Sequence, residues 1–201
     1  MNIGSKIRDS IKHAVIIQVK KERVTVKEAA NTQIKKGWTG RFYEDFEIGD
    51  VYPHPLGRTV TQTDNIWFTL LTQNTNPIHF DEVYSEKTEF GRPLVDSTFT
   101  LALVTGQSVT DVSQNVMANL GWDDIKLPHP VFEGDTIYSY SEVLEKRESK
   151  SRPNVGIVKI KTAGYNQHGT VVIEFQRTFM VYKRGEGPDM TSELLAKVLK
   201  K

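Results

Sequence analysis

Apolar and polar positions alternate partially through three long segments rich in β-branched and aromatic residues: "TIYSYSEVLEKRES", "VGIVKIKTAGYN" and "TVVIEFQRTFMVYKR". A period near two with this composition predicts β-strands. "ESKSRPN" breaks the first from the second, and "NQHG" is a turn signal between the second and third. "VMANLGWDDIKL" is a further strand candidate, followed by the turn-rich "PHPVFEGD". Upstream the period changes. Ile66, Trp67, Leu70 and Leu71 predict the apolar face of a helix capped at Thr63 or Asp64. It ends near Asn74 to Pro77, because Pro77 disfavours helical geometry at Asn76. "FTLALVTGQSV" is almost continuously apolar and opens with Asp96–Ser97–Thr98, which predicts a helix over Ser97–Val109 buried on all sides. "TSELLAKVLKK" begins with a capping pattern and ends in lysines, as a short terminal helix does. Helical elements followed by a run of strands imply an α+β domain whose antiparallel sheet wraps a central helix.

Charge divides the chain further. Before Gly37, nine lysines and arginines face only Asp9, Glu22 and Glu28, and Ile3, Ile7, Ile11 and Val15 recur at helical spacing. Residues 1–39 are therefore expected to form a basic arm, 40–185 the folded domain and 186–201 a tail. A solvated arm is the plain reading, and contact with an acidic partner or membrane surface the sharper one. The 201 residues are 38% hydrophobic and 25% charged with a net charge of +1, which suits a globular protein and argues against a nucleic-acid partner. No cysteine is present, which excludes disulfides, thiol nucleophiles and iron–sulfur clusters. No apolar run approaches the roughly 20 residues of a membrane helix. With no secretory-type start, a cytoplasmic location and no membrane partner are expected.

The chemistry concentrates in "LLTQNTNPIHFDEVYSEKTEFGRPLVDS". His79 stands beside a helix-ending turn crowded with amides and carboxylates, and an imidazole is the natural proton carrier near neutral pH. Asn74 and Asn76 can orient it or bind water, and Pro77 stiffens the loop. Asp96 precedes the most apolar helix, either as its N-cap or as a carboxylate beside a helix start whose N–H groups can hold an oxyanion. No G-x-S-x-G elbow, metal-ligand spacing, P-loop or dinucleotide fingerprint occurs, so no metal or nucleotide cofactor is expected.

Three motifs in order, "QNTNPIHFD", "FGRPLVDSTFTLALVTG" and "PVFEGDTIYSYSEVLEKRES", resemble the MaoC-like dehydratases, or (R)-specific enoyl-CoA hydratases, across about Gly40 to Arg184. "VTDVSQNVMANLGW" and "IEFQRTFMVYKR" are similar to the branch containing mesaconyl-CoA hydratase (β-methylmalyl-CoA dehydratase), here in a single-unit form. The resemblance implies a hotdog fold, a homodimer or larger homo-oligomer with sites at the protomer interface, and reversible hydration of a 2-enoyl-CoA. Its only cofactor is the coenzyme A that the substrate carries. The family pattern D-x-N-P-x-H is matched at Asn76, Pro77 and His79, but Asn74 stands where its aspartate belongs, and an amide cannot accept that proton. Asp96–Ser97 replaces the family's common His-Gly, so Asp96 is expected to work with His79 while the Ser97 N–H polarises the thioester carbonyl. Asp81 is the fallback carboxylate. Lys146, Arg147, Lys150 and Arg152 are candidates for the coenzyme A phosphates, or else a solvated hairpin. Arg92 is a candidate for the distal carboxylate of a dicarboxylic acyl group, or else a structural ion pair. A hotdog thioesterase and a non-catalytic acyl-CoA-binding protein are the alternatives.

Overall fold

The computed structural model describes residue 35 and residues 37–199, and its contacts divide the chain into Met1–Gly37 and Trp38–Lys201. Most of the expected basic arm lies outside the described residues. The second unit is built on an antiparallel sheet. Its long strands are β3 (Val116–Lys126), β4 (Thr136–Glu148), β5 (Val155–Tyr165) and β6 (Val171–Tyr182). With β1 (Val51–Pro53) the order is β1-β4-β5-β6-β3, and β2 (Arg58–Thr59) pairs with β4. The predicted strands are therefore present, and the turns between them fall where the polar clusters lie. At the β5–β6 turn Gly169 takes the left-handed conformation (φ 78°), and the Asn166 carboxamide accepts from the N–H groups of His168 and Thr170.

The helices are α1 (Gln62–Thr72), α2 (Glu82–Ser85) and α3 (Ser97–Gln107), with α4 (Met190–Leu199) at the end. α3 packs on the sheet, and Phe68 of α1 joins it there. Val95, Phe99 and Val104 pack with Val60, Ile137, Ile173 and Phe175 to make one apolar cluster. Tyr43, Phe46, Val112, Val143, Val158 and Phe179 make a second. Each fully buried side chain of this kind contributes roughly 1.5–3 kcal/mol through removal from water. In the second cluster β5 approaches the ring of Tyr43 so closely that only a glycine, Gly156, fits; a Cβ there would overlap the ring.

Two expectations about the helices need correction. α3 is buried on one side only: Phe99, Thr100 and Val104 are covered, whereas Thr98, Ala102 and Gly106 are exposed. The sheet covers one face of a helix, so a continuous apolar run does not mean burial all round. α1 starts two to three residues earlier than its apolar pattern suggests. Thr61 is the N-cap and Asp64 completes a capping box. The helix then turns its polar Asn65 and Thr69 inward with Phe68, and leaves Trp67, Leu70 and Leu71 at 66%, 72% and 79% exposure.

A polar belt crosses the inner face of the sheet beside the two apolar clusters. His54 stands between Asp111 (3.0 Å from Nδ1) and the Ser141 hydroxyl (2.9 Å from Nε2), and Ser141 in turn meets Thr162. Arg177 is buried on β6 and donates to Ser108. Burial lowers the Arg177 pKa to about 10. Asp111, His54 and Ser141 line up as a hydrolase triad would. However, Ser141 is fully buried and lines neither of the two cavities that flank α3, so this arrangement serves the interior.

Candidate active site

The site is assembled where α1, the turn after it and the start of α3 meet. α1 ends at Gln73, which takes the left-handed conformation (φ 58°) and so releases the chain sharply into Asn74. The Asn74 carbonyl oxygen of the side chain accepts from the Asn76 N–H at 3.1 Å. Asn76 in turn caps a single 3-10 turn, Pro77–His79, its side chain accepting from the Ile78 N–H at 3.2 Å. This relay of asparagines and Pro77 presents His79 inward, where it is buried.

The His79 ring is fixed by the Leu94 carbonyl, 2.8 Å from Nδ1. A carbonyl only accepts, so Nδ1 carries the hydrogen and the neutral ring keeps its lone pair on Nε2. Nε2 has no hydrogen-bond partner among the described residues, so it is the nitrogen available to take a proton.

One residue that the sequence pattern did not single out holds this arrangement together. The buried Asn65 side chain donates to the His79 carbonyl (2.7 Å) and the Leu94 carbonyl (3.0 Å), and accepts from the Asp96 N–H (2.9 Å). A polar side chain at the inward position of α1, next to Phe68 and one turn before Thr69, was the available signal. It becomes readable only once the helix start is fixed at Thr61.

Asp96 does not hydrogen-bond to His79 as expected. One carboxylate oxygen caps α3, accepting from the Thr98 and Phe99 N–H groups at 2.7 and 3.1 Å and from the Thr98 hydroxyl at 2.5 Å. The other accepts from the Asn74 amide at 2.6 Å. Burial would raise the Asp96 pKa. The hydrogen bonds from the Thr98 hydroxyl, Asn74 and the Phe99 and Thr98 N–H groups outweigh it and hold the carboxyl below its usual range. Such a carboxylate stays ionised and suits electrostatic positioning better than proton transfer. Asp96 takes the N–H groups of Thr98 and Phe99 but leaves that of Ser97 unclaimed at the helix start, pointing with the positive end of the helix dipole. Asp81 caps α2 through the Tyr84 N–H at 2.9 Å.

A cavity of about 280 Å³ opens beside this helix start, with Ser97 and Thr100 on one wall and Phe90, Leu94, Leu127 and Val131 forming apolar surface. The Arg92 side chain stacks 4.0 Å above the ring of Phe132, and Phe132 packs on Phe90 and bridges to Leu94. Arg92 is exposed, and no ion pair with Glu89 occurs among the described residues. Lys146, Arg147, Lys150 and Arg152 lie elsewhere. Lys146 and Arg147 lie ten and eleven residue steps, roughly 33–36 Å of strand, along β4 from its Thr136 end, and Lys150 and Arg152 lie in the β4–β5 turn beyond them. Lys146 is already engaged by the Phe46 carbonyl at 2.6 Å and by Glu47 at 3.6 Å. Within one chain the expected phosphate-binding set is therefore not brought to His79.

A sequence model of the mesaconyl-CoA hydratase family matches residues 22–191. The chain belongs to this family. It is 32% identical to a mesaconyl-CoA hydratase of Cereibacter sphaeroides over 145 residues, which is 72% of this chain and 42% of the relative. It is similarly 31% identical, with a TM-score of 0.72, to a solved structure described as a putative MaoC domain protein dehydratase from Chloroflexus aurantiacus, covering 78% of this chain and 45% of that one. A Mycobacterium tuberculosis protein described as having a double hotdog fold shares the fold at a TM-score of 0.68 and 21% identity, over 76% of this chain and 49% of that one. The fold of the second unit is the hotdog fold. The chain spans less than half the length of the mesaconyl-CoA hydratase and β-methylmalyl-CoA dehydratase relatives it matches.

Proposed function

We propose that this chain is a hydratase/dehydratase of short 2-enoyl-CoA thioesters, with a branched or dicarboxylic acyl group of the mesaconyl-CoA/β-methylmalyl-CoA type. The observation that carries the reading is the His79 ring, anchored by the Leu94 carbonyl with Nε2 free, beside an unclaimed N–H at the start of α3. In the hydration direction His79 Nε2 takes a proton from water while the water oxygen bonds to C3. The displaced electron pair moves to the thioester oxygen, where the Ser97 N–H stabilises the enolate. C2 then takes a proton back from the imidazolium, which restores the carbonyl and the neutral ring. Asp96 acts with His79 indirectly: it holds Asn74, whose second amide hydrogen is left to orient the attacking water. Arg92, beside the cavity wall, receives the distal carboxylate. The reaction needs no cofactor beyond the substrate's coenzyme A.

The remote basic turn favours a homodimer. Arg147, Lys150 and Arg152 cannot reach the coenzyme A phosphates in their own protomer, so a second copy is the arrangement that supplies them.

Incubation with a panel of enoyl-CoA and 3-hydroxyacyl-CoA thioesters tests the reading. Interconversion is expected, lowered by about 10²–10⁴ in His79→Ala. Arg92→Leu should impair mesaconyl-CoA much more than crotonyl-CoA. Release of free thiol identifies a thioesterase, and binding without turnover a non-catalytic acyl-CoA-binding protein.

A further inference from the structure

The cavity beside α3 is lined by an imidazole that the mechanism above leaves unused. His129 lines it, across from Ser97 and Thr100, on the segment between β3 and β4. Its Nδ1 lies 2.9 Å from the Val171 carbonyl at the start of β6. As at His79, a carbonyl partner fixes the hydrogen on Nδ1. Nε2 has no hydrogen-bond partner among the described residues. The rest of the wall is mainly apolar, and the Thr100 hydroxyl is occupied by the Asp96 carbonyl at 3.3 Å. No acidic side chain among the described residues lines the cavity. At about 280 Å³ it is smaller than most ligand pockets, which fits an acyl group rather than a nucleotide.

We propose that His129 is a second specificity residue of the acyl pocket and shares with Arg92 the distal carboxylate of a dicarboxylic acyl-CoA, donating to it through Nε2–H. This deepens the reading given under Proposed function and rests on it for the nature of the ligand. Uptake of one proton from solvent together with the anion lets both nitrogens donate, Nδ1 to the Val171 carbonyl and Nε2 to the carboxylate. A monocarboxylic acyl group has nothing to place there, and the neutral ring then faces its methyl end. Two histidines thus serve one reaction with separate tasks: His79 carries the proton between water and C2, and His129 reads the far end of the acyl chain.

Calorimetric binding of two saturated thioesters, succinyl-CoA and butyryl-CoA, to the full chain tests this without requiring turnover. His129→Leu should weaken succinyl-CoA by about 10–100-fold and leave butyryl-CoA within about twofold, as expected for loss of one charge-assisted hydrogen bond. His129→Lys should restore most of the preference, because it returns a cationic donor. Equal weakening of both ligands in His129→Leu, or a preference that survives it undiminished, overturns the proposal. Unchanged butyryl-CoA binding also reports that the variant is folded. The two readings fail separately: absence of hydration in the substrate panel removes the lyase assignment, while the succinyl-over-butyryl preference and its dependence on His129 stand or fall by this measurement.

Discussion

Replacing Asn65 with alanine removes three buried hydrogen bonds at once, to the His79 carbonyl, the Leu94 carbonyl and the Asp96 N–H, of 2.7, 3.0 and 2.9 Å. At about 1 kcal/mol net for each, the fold should lose about 3 kcal/mol. For a domain of this size, about 2–4 °C per kcal/mol converts that to a fall in Tm of roughly 6–12 °C. Asn65→Asp keeps the shape but aims acceptors at two carbonyl oxygens, so it should cost at least as much. The loss should also appear in catalysis. Asn65 fixes the backbone on both sides of the His79 anchor and the entry to α3, and a displacement of about 1 Å in such a frame can cost about 10²-fold. Urea unfolding followed by far-ultraviolet circular dichroism gives the first quantity, and kcat on the best substrate of the panel the second. A loss below about 1 kcal/mol together with unchanged kcat would refute the view that Asn65 holds the site together.

Gly156→Ala should destabilise by about 1–3 kcal/mol, measured in the same urea titration, because the added methyl would overlap the Tyr43 ring; in a Tyr43→Ala background the same substitution should cost almost nothing, because the ring it meets is gone. Stability should also fall in acid in two stages. Burial lowers the His54 pKa, against the opposing pull of Asp111, so the folded ring resists the proton that the unfolded ring accepts below about pH 6.5. That contribution is complete above about pH 6.5 and is lost as pH falls below it. The Asp96 contribution, from a carboxyl held below its usual range, is complete above about pH 4 and lost only as pH falls through its lowered folded value. Urea midpoints between pH 7 and pH 5 should flatten in His54→Gln, and an unchanged slope would exclude His54 as the source.

The sheet was readable because β4, β5 and β6 keep one face buried, and a strand with one wet face writes its alternation into the sequence. Ile173, Phe175, Phe179 and Val181 in β6 are such positions. Even there Arg177 occupies a buried position in the same row, which period alone assigns to an apolar residue. α1 was misread for a different reason. Its large apolar residues Trp67, Leu70 and Leu71 are exposed, while its inward face carries Asn65 and Thr69 for hydrogen bonding. A periodicity argument places apolar side chains inside, so it inverted the helix and passed over Asn65. In the site, His79, Asn74 and Asp96 were legible as residue types that carry chemistry. Which of them touch depends on side-chain direction at a turn. Only the structure shows that Asp96 reaches Asn74 while His79 is held by a backbone carbonyl. The basic residues near the β4–β5 turn were legible as a cluster, but their distance from the site is set by the length of β4 and not by local sequence.

The short bond between Asn74 and Asp96 constrains how this site can evolve. An aspartate at position 74, as in the family pattern, would set two carboxylates 2.6 Å apart and oblige one to retain a proton. The shared proton would weaken the cap on α3, because a protonated Asp96 is a poorer acceptor for the Thr98 and Phe99 N–H groups. Asn74→Asp alone is therefore a valley between two workable states. A lineage can cross from one to the other only by changing positions 74 and 96 together, or by losing the carboxylate at 96 first.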